Sequence, residues 1–223
     1  MSANCAEPAI GSLEVLSVKA RIMKHIRLGM TVLVFVSFAV PAAAGQFGSV
    51  NMRNCTWCHG ASAQGYAPAP RLAGQRRQYL KNQLYNFIDR RRDNPFSKLY
   101  MWHAAANIDS LDVRYLANYF SRLHPRAADD GNKKLVAAGR RIFQEGIPAS
   151  NIVACIACHG PQAQGVRQIP RLGGLSYTYL RRRLEQWHGG YDKHARHPMP
   201  DVASRLSARQ IAELASYFSY LKE

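Results

Sequence analysis

One pattern recurs in this chain at a fixed distance: Cys55-Thr56-Trp57-Cys58-His59-Gly60 returns 100 residues later as Cys155-Ile156-Ala157-Cys158-His159-Gly160. The same spacing relates Gln64-Gly65 to Gln164-Gly165, Pro70-Arg71-Leu72 to Pro170-Arg171-Leu172, and Tyr79-Leu80 to Tyr179-Leu180. Further on it shortens to 98, with Met101 opposite Met199, Leu116-Ala117 opposite Leu214-Ala215, and Tyr119-Phe120 opposite Tyr217-Phe218. Such ordered matches mark a tandem duplication, so the chain must fold as two like units. Proline, charge and glycine at 124–131 read as an exposed linker between domains at 45–123 and 132–223. At 79 and 92 residues, each unit is near the size where a core alone gives marginal stability. A large apolar cofactor at the centre of each would supply the missing core.

The hydrophobic periodicity is helical throughout. Leu80, Leu84, Phe87 and Ile88 follow helical spacing, as do Leu180, Leu184 and Trp187 in the second copy. A last helix in copy one starts at Asp109 and carries Val113, Leu116, Ala117 and Phe120; its counterpart carries Ile211, Leu214, Ala215, Phe218 and Leu221. Ser207 and Gln210 resemble a capping box. Lys134–Glu145 is predicted as an N-terminal helix of copy two. Copy one has only Gly45–Asn54 before its first cysteine, so its equivalent is at most about two turns.

Residues 1–44 read as a leader. Lys24, His25 and Arg27 form a basic region, Leu28–Val40 is an apolar run of 13 residues, and Pro41-Ala42-Ala43-Ala44 supplies a small-residue cleavage site. The run falls short of the ~20 residues that span a bilayer. Met23 is the expected true start, and export to the periplasm with cleavage before Gly45 is the expected fate. Retention as a membrane anchor is the alternative.

After that cleavage, all four remaining cysteines sit in the two CxxC pairs. Export would ordinarily turn such pairs into disulfides, but each is followed directly by histidine. Cys55 with Cys58, and Cys155 with Cys158, can add to the two vinyl groups of haem as thioethers, which holds His59 and His159 beneath the iron. Redox CxxC chemistry needs a strand–helix setting that this helical sequence lacks. A zinc ribbon would gather its CxxC pairs into one small unit, whereas these belong to separate copies. Two covalent haem c groups are therefore expected.

The sixth ligand decides function. A thioether opposite histidine favours the ferrous state and closes the iron to outside ligands. Met199 lies in His197-Pro198-Met199-Pro200, a proline-stiffened loop ahead of the last helix, and Met101 occupies the matching slot without prolines. His103, His194 and His197 are the rivals. The carbonyls of Pro70 and Pro170 are candidate acceptors for the second ring nitrogen of each histidine. Leu72 and Leu172 would then pack on the haem faces; the plain alternative is that the prolines only turn the chain.

With these residues in view, the chain resembles the class I dihaem cytochromes c of the cytochrome c4 family. The two CxxCHG motifs carry the resemblance, with Pro170-Arg171-Leu172-Gly173-Gly174, Tyr179-Leu180, Met199 and Arg205-Leu206-Ser207 leading into the Tyr217-Phe218 helix. It spans almost the whole mature chain. The resemblance implies an all-α fold of two class I cytochrome c domains, each wrapped around one covalently attached His/Met haem and related by a pseudo-twofold axis. It further implies a periplasmic electron carrier, not an enzyme, between a quinol-oxidising complex or dehydrogenase and a terminal oxidase or reductase. Copy one departs from the family in its short N-terminal segment and in the loop Asn94–Met101, and the chain is more basic than the family.

The full sequence carries 30 Lys+Arg against 14 Asp+Glu; without the leader, 26 basic and 12 acidic side chains leave +14. Arg76-Arg77, Arg90-Arg91-Arg92 and Arg181-Arg182-Arg183 are the densest clusters. They read either as solvated helix faces with one or two arginines on propionates, or as a docking surface for acidic redox proteins or anionic membrane headgroups. An exported haem protein would not meet nucleic acid, and a closed iron binds no small-molecule substrate. The rival activities are a dihaem peroxidase or gas-binding haem, which needs one open iron, and a haem subunit held permanently in a larger complex.

Overall fold

The computed structural model describes residues 51–66, 68–195 and 198–222. The leader, its cleavage site and His197 lie outside the described residues. Among the described residues the regular structure is helical, and the only bridges are two isolated ones, Tyr66–Ala69 and Ile147–Ile152.

Copy one contains α1 (Met52–His59), α2 (Arg77–Ile88), a π-helical turn (Ser97–Met101) running into α3 (Trp102–Ala105), and α4 (Ser110–Arg122). Copy two contains α5 (Val136–Glu145), α6 (Ile156–His159), α7 (Tyr177–His188), α8 (Met199–Ala203) and α9 (Ala208–Tyr220). The long closing helices start where their caps demand. Asp109 accepts from the Leu111 and Asp112 amides and Asp112 reaches back to the Asp109 amide; Ser207 and Gln210 form the same reciprocal box. The predicted stripes face inward: Val113, Leu116, Ala117 and Phe120 are buried on α4, and Ile211, Leu214, Ala215 and Phe218 on α9.

The two cores differ in extent. In copy two, α5 lies across α9, with Phe143 wedged 5.5 Å from the ring centres of both Tyr217 and Phe218. Gly139 permits that crossing, since a Cβ there would run into the backbone oxygen of Glu213. In copy one the described helix begins at Met52 and runs through the motif to His59, instead of ending before the first cysteine. Tyr119, the repeat equivalent of the Tyr217 that packs on Phe143 of α5, is exposed on α4.

Both methionine segments are helical where loops were expected. Met101 closes the π-helical turn ahead of α3, and Met199 opens α8, with Pro198 at its N-cap and Pro200 in its first turn. Proline suits the start of a helix because its missing N–H would have no partner there.

Segment 124–131 is exposed at most of its side chains but fixed along its backbone to both copies. Gln64 accepts from the Arg126 amide at 2.9 Å and donates to the His124 carbonyl at 2.8 Å. Beyond Arg126 the strand lies on copy two, with the Ala128 amide on the Gly174 carbonyl (3.1 Å) and the Asp129 amide on the Ser219 carbonyl (3.0 Å).

Arginines join the copies reciprocally. Arg71 donates to the Gly173 and Gly174 carbonyls at 2.7 and 3.1 Å, and Arg171 Nε donates to the Gly74 carbonyl at 3.1 Å. Because these residues are repeat equivalents, the seam has the pseudo-twofold character expected of a duplication.

Candidate haem sites

In both copies the cysteines and histidine fall at i, i+3 and i+4, which one turn of helix presents on one face. The four cysteines are free thiols, with Cys55 and Cys155 half-buried and Cys58 and Cys158 exposed. Burial is the main cause that pushes the Cys155 thiol up to about 11, and it raises Cys55 as well.

Each histidine is buried and held at one nitrogen. His59 Nδ1 lies 2.7 Å from the Pro70 carbonyl and His159 Nδ1 lies 3.0 Å from the Pro170 carbonyl. A carbonyl only accepts, so Nδ1 carries the proton and Nε2 keeps its lone pair for a metal. Burial lowers both imidazole pKa values against the opposing pull of the proline carbonyl; the charge of Arg92 lowers His59 further. Both rings are thus kept neutral, as ligation requires.

The proline carbonyls are aimed by a loop built alike in both copies. The Gly65 and Gly165 amides return to the His59 and His159 carbonyls at 2.8 Å, and the Leu72 and Leu172 amides to the Ala63 and Ala163 carbonyls at 2.9 and 2.8 Å. Gly65 and Gly165 both sit at φ 74°, and a Cβ on Gly165 would stand 2.5 Å from the Arg171 nitrogen and the Ile169 oxygen. Gly165→Ala should therefore cost about 1–3 kcal/mol, which thermal unfolding would read as a lowered midpoint.

The other sequence candidates occupy two separate surroundings. Leu72 and Cys55 pack against the copy-one core around Leu80, Leu116 and Phe120. Leu172, Cys155 and Met199 pack against the copy-two core around Leu180, Leu184 and Leu214. Met101 is half-buried, next to Trp102, whose Nε1 donates to the Arg92 carbonyl at 2.9 Å. In copy two, His188 Nδ1 meets the Ala203 carbonyl at 3.1 Å and ties α7 to the end of α8. Of the rival ligands, His103 and His194 are exposed.

Two arginine clusters read as surface features are partly interior. Arg92 and Arg183 are only 8% and 5% exposed, and with Asp192 they occupy the seam between the copies. Asp192 binds Arg183 at 2.7 Å and accepts from the Asp93 and Asn94 amides at 2.8 and 3.1 Å. Asp93 returns the bond, accepting from the Asp192 amide at 2.8 Å. Arg92 Nη1 donates to Gln83 and its Nη2 reaches the Tyr179 hydroxyl, yet its Nε is buried without a hydrogen-bond partner, as is Arg182 Nε. Sequence reasoning missed Asp192, because Arg183 nine residues earlier lies in a string of three like arginines and the Asp93 and Asn94 amides lie about 100 residues away, with no local period linking them.

These residues fit a haem. Each copy offers two free thiols and a neutral histidine on one helical face, and the seam holds buried guanidinium N–H groups short of acceptors. Propionate carboxylates would supply acceptors of the charge such donors take.

Known proteins agree with this chemistry. The family model for cytochrome c matches residues 44–123 and again 136–222. Cytochrome c4 of Pseudomonas aeruginosa is 32% identical over 199 residues, covering 87% of this chain and 94% of that protein. The thiosulfate dehydrogenase electron acceptor of Thiomonas intermedia is 37% identical over 142 residues, 61% of this chain and 64% of that one. The solved structure of Acidithiobacillus ferrooxidans cytochrome c4 superposes with a TM-score of 0.71 at 32% identity, covering 77% of this chain and all of that one.

Proposed function

Because this chain belongs to the cytochrome c family, as a dihaem member of its cytochrome c4 group, we propose a specific ligand set and cellular role for it. It carries two haem c groups and is an electron-transfer protein whose partners are other redox proteins. Each haem, when bound, supplies an iron that takes up and gives up one electron.

In this reading Cys55 and Cys58, and Cys155 and Cys158, hold the haems as thioethers in domains at 45–123 and 132–223, joined by the linker 124–131. His59 and His159 are the fifth ligands, turned by Pro70 and Pro170. Met101 and Met199 are the sixth, and their soft sulphurs raise the potential and shut out exogenous ligands. Leu72 and Leu172 keep the haem faces dry. Arg92 and Arg182 receive propionates. The paired His Nδ1–proline carbonyl bonds carry this reading, since a histidine that only filled a core would have no need of the same acceptor twice.

The role follows from leader, charge and relatives. The protein is exported to the periplasm and takes electrons from a dehydrogenase, such as one oxidising thiosulfate, or from a quinol-oxidising complex. It delivers them to a terminal oxidase or reductase. Its basic surface favours partners with acidic docking faces, and peripheral contact with anionic membrane lipid uses the same charge. Among the described residues no helix is long and apolar enough to cross a membrane.

Reductive titration of the exported protein checks the carrier. Two electrons per chain, with no binding of carbon monoxide or cyanide at equilibrium, are expected. Uptake of one electron, or ready ligand binding to one iron, would favour a peroxidase or gas-binding protein.

A further inference from the structure

At the seam on the copy-one side, a groove of about 490 Å³ runs between the start of α2 and the end of α4. Arg76, Arg77, Arg122, His124 and Arg171 line it, and no acidic residue does. Arg76, Arg77 and Arg122 are exposed and make no ion pair within the described residues.

Copy two shows what fills the equivalent place. By the repeat, Gly174, Tyr177, Ser219 and Tyr220 correspond to Gly74, Arg77, Ser121 and Arg122. The acidic stretch Ala127-Ala128-Asp129-Asp130-Gly131 lies on them. Besides the two backbone bonds already given, Asp130 Oδ1 accepts from the Tyr177 amide at 2.8 Å, at the first residue of α7. The Tyr220 hydroxyl donates to the Gly131 carbonyl at 2.7 Å. A carboxylate thus sits on the first turn of that helix, where the unpaired N–H groups and the helix dipole favour it.

The copy-one helix lacks both devices. Its N-cap is Arg76, which makes no capping bond where Ser176 caps α7, and among the described residues no carboxylate meets the Arg77 amide as Asp130 meets that of Tyr177. Three arginines stand in place of Ser176, Tyr177 and Tyr220. The Gly74 carbonyl is already engaged by Arg171 Nε, so the likeness holds at the carboxylate position and not along the whole strand.

We infer that the Arg76–Arg77–Arg122 groove is where a redox partner presents an acidic segment, one carboxylate seated on the first turn of α2 as Asp130 sits on α7. This rests on the proposed acidic-partner reading and gives it a location spanning both copies. An acidic protein segment suits the groove better than a lipid surface. The site is concave, and no exposed large apolar side chain lines it to enter an acyl layer.

The test uses the reduced, isotopically labelled holoprotein at low salt, with the capped peptide Ala-Ala-Asp-Asp-Gly-Asn as probe and its Asn-for-Asp twin as control. Amide signals of Arg77, Gln78, Arg122 and Leu123 should shift with the acidic peptide and not with the twin. Affinity should fall about tenfold in Arg76→Gln/Arg77→Gln/Arg122→Gln, the sum of three exposed charge pairs, and fade once salt shortens the screening length below ~10 Å. Equal binding by the variant, or shifts confined to another face, would overturn the inference. So would a groove that ignores the peptide while sedimenting with phosphatidylglycerol vesicles in an arginine-dependent way, which would make it a lipid site. Haem content and potentials are measured on the same samples, so failure of the groove and failure of the carrier reading are told apart.

Discussion

Asp192→Ala is expected to lose about 3–5 kcal/mol of folding stability, the usual consequence of removing one partner from a buried ion pair. The carboxylate is 1% exposed and holds Arg183 together with the Asp93 and Asn94 amides of the other copy. Its removal leaves the buried Arg183 guanidinium without its counter-ion, with Gln186 Oε1 still accepting from Nη1, and takes the acceptor from the Asp93 and Asn94 amides, all at the seam. Chemical denaturation of the holoprotein measures the loss, and an effect near 0.5 kcal/mol would mean the seam relaxes around the gap. Burial pushes the Asp192 carboxyl up, but Arg183 and then Arg92 outweigh it, so the folded value lies below the ordinary one. A depressed folded value means the contribution is complete above the unfolded value of about 3.9. It is lost as pH falls through the lower folded value. The wild type should therefore lose stability toward strong acid through this group, and Asp192→Ala should lack that part of the acid dependence.

The second large effect concerns the sixth ligands. Met199→Ala should open the second iron to cyanide or carbon monoxide and lower its potential, because the soft donor is gone and water can enter. Met101→Ala should do the same at the first iron if Met101 is the ligand there. Unchanged ligand binding in Met101→Ala, with a changed Met199→Ala, would mean another group already holds the first site. His103 is then the nearest rival in sequence, although it is exposed on α3.

Much of the fold could be read from local pattern. The duplication came from the spacing of the CxxCHG, Pro-Arg-Leu and Tyr-Leu matches. The closing helices came from a 3.6-residue stripe, and the start of α9 from Ser207 with Gln210. Each of these signals is short-range, or repeated, and needs only the sequence itself.

Contacts between the copies were not readable in that way. Arg90-Arg91-Arg92 and Arg181-Arg182-Arg183 are alike as strings, yet Arg92 and Arg183 are buried while Arg91 and Arg181 make exposed ion pairs with Asp89 and Glu185. Which arginine turns inward depends on helix phase and on Asp192, which lies nine residues from Arg183 but 100 from Arg92. The linker shows the same limit: its composition announces a boundary, but not that Asp130 would cap α7. Helical propensity in Ser97–Ala105 was likewise hidden, because a π-helical turn shifts the period partway through.

The most direct test of the dihaem His/Met carrier is the optical spectrum of the oxidised holoprotein, with covalent haem quantified and the weak far-red methionine-to-ferric-iron band integrated. Two haems per chain, with band intensity for two methionine ligands, is the predicted result. Half that intensity would contradict the ligand set at one site and shift the reading toward a ligand-binding or peroxidase haem, and absence of covalent haem would contradict the account as a whole.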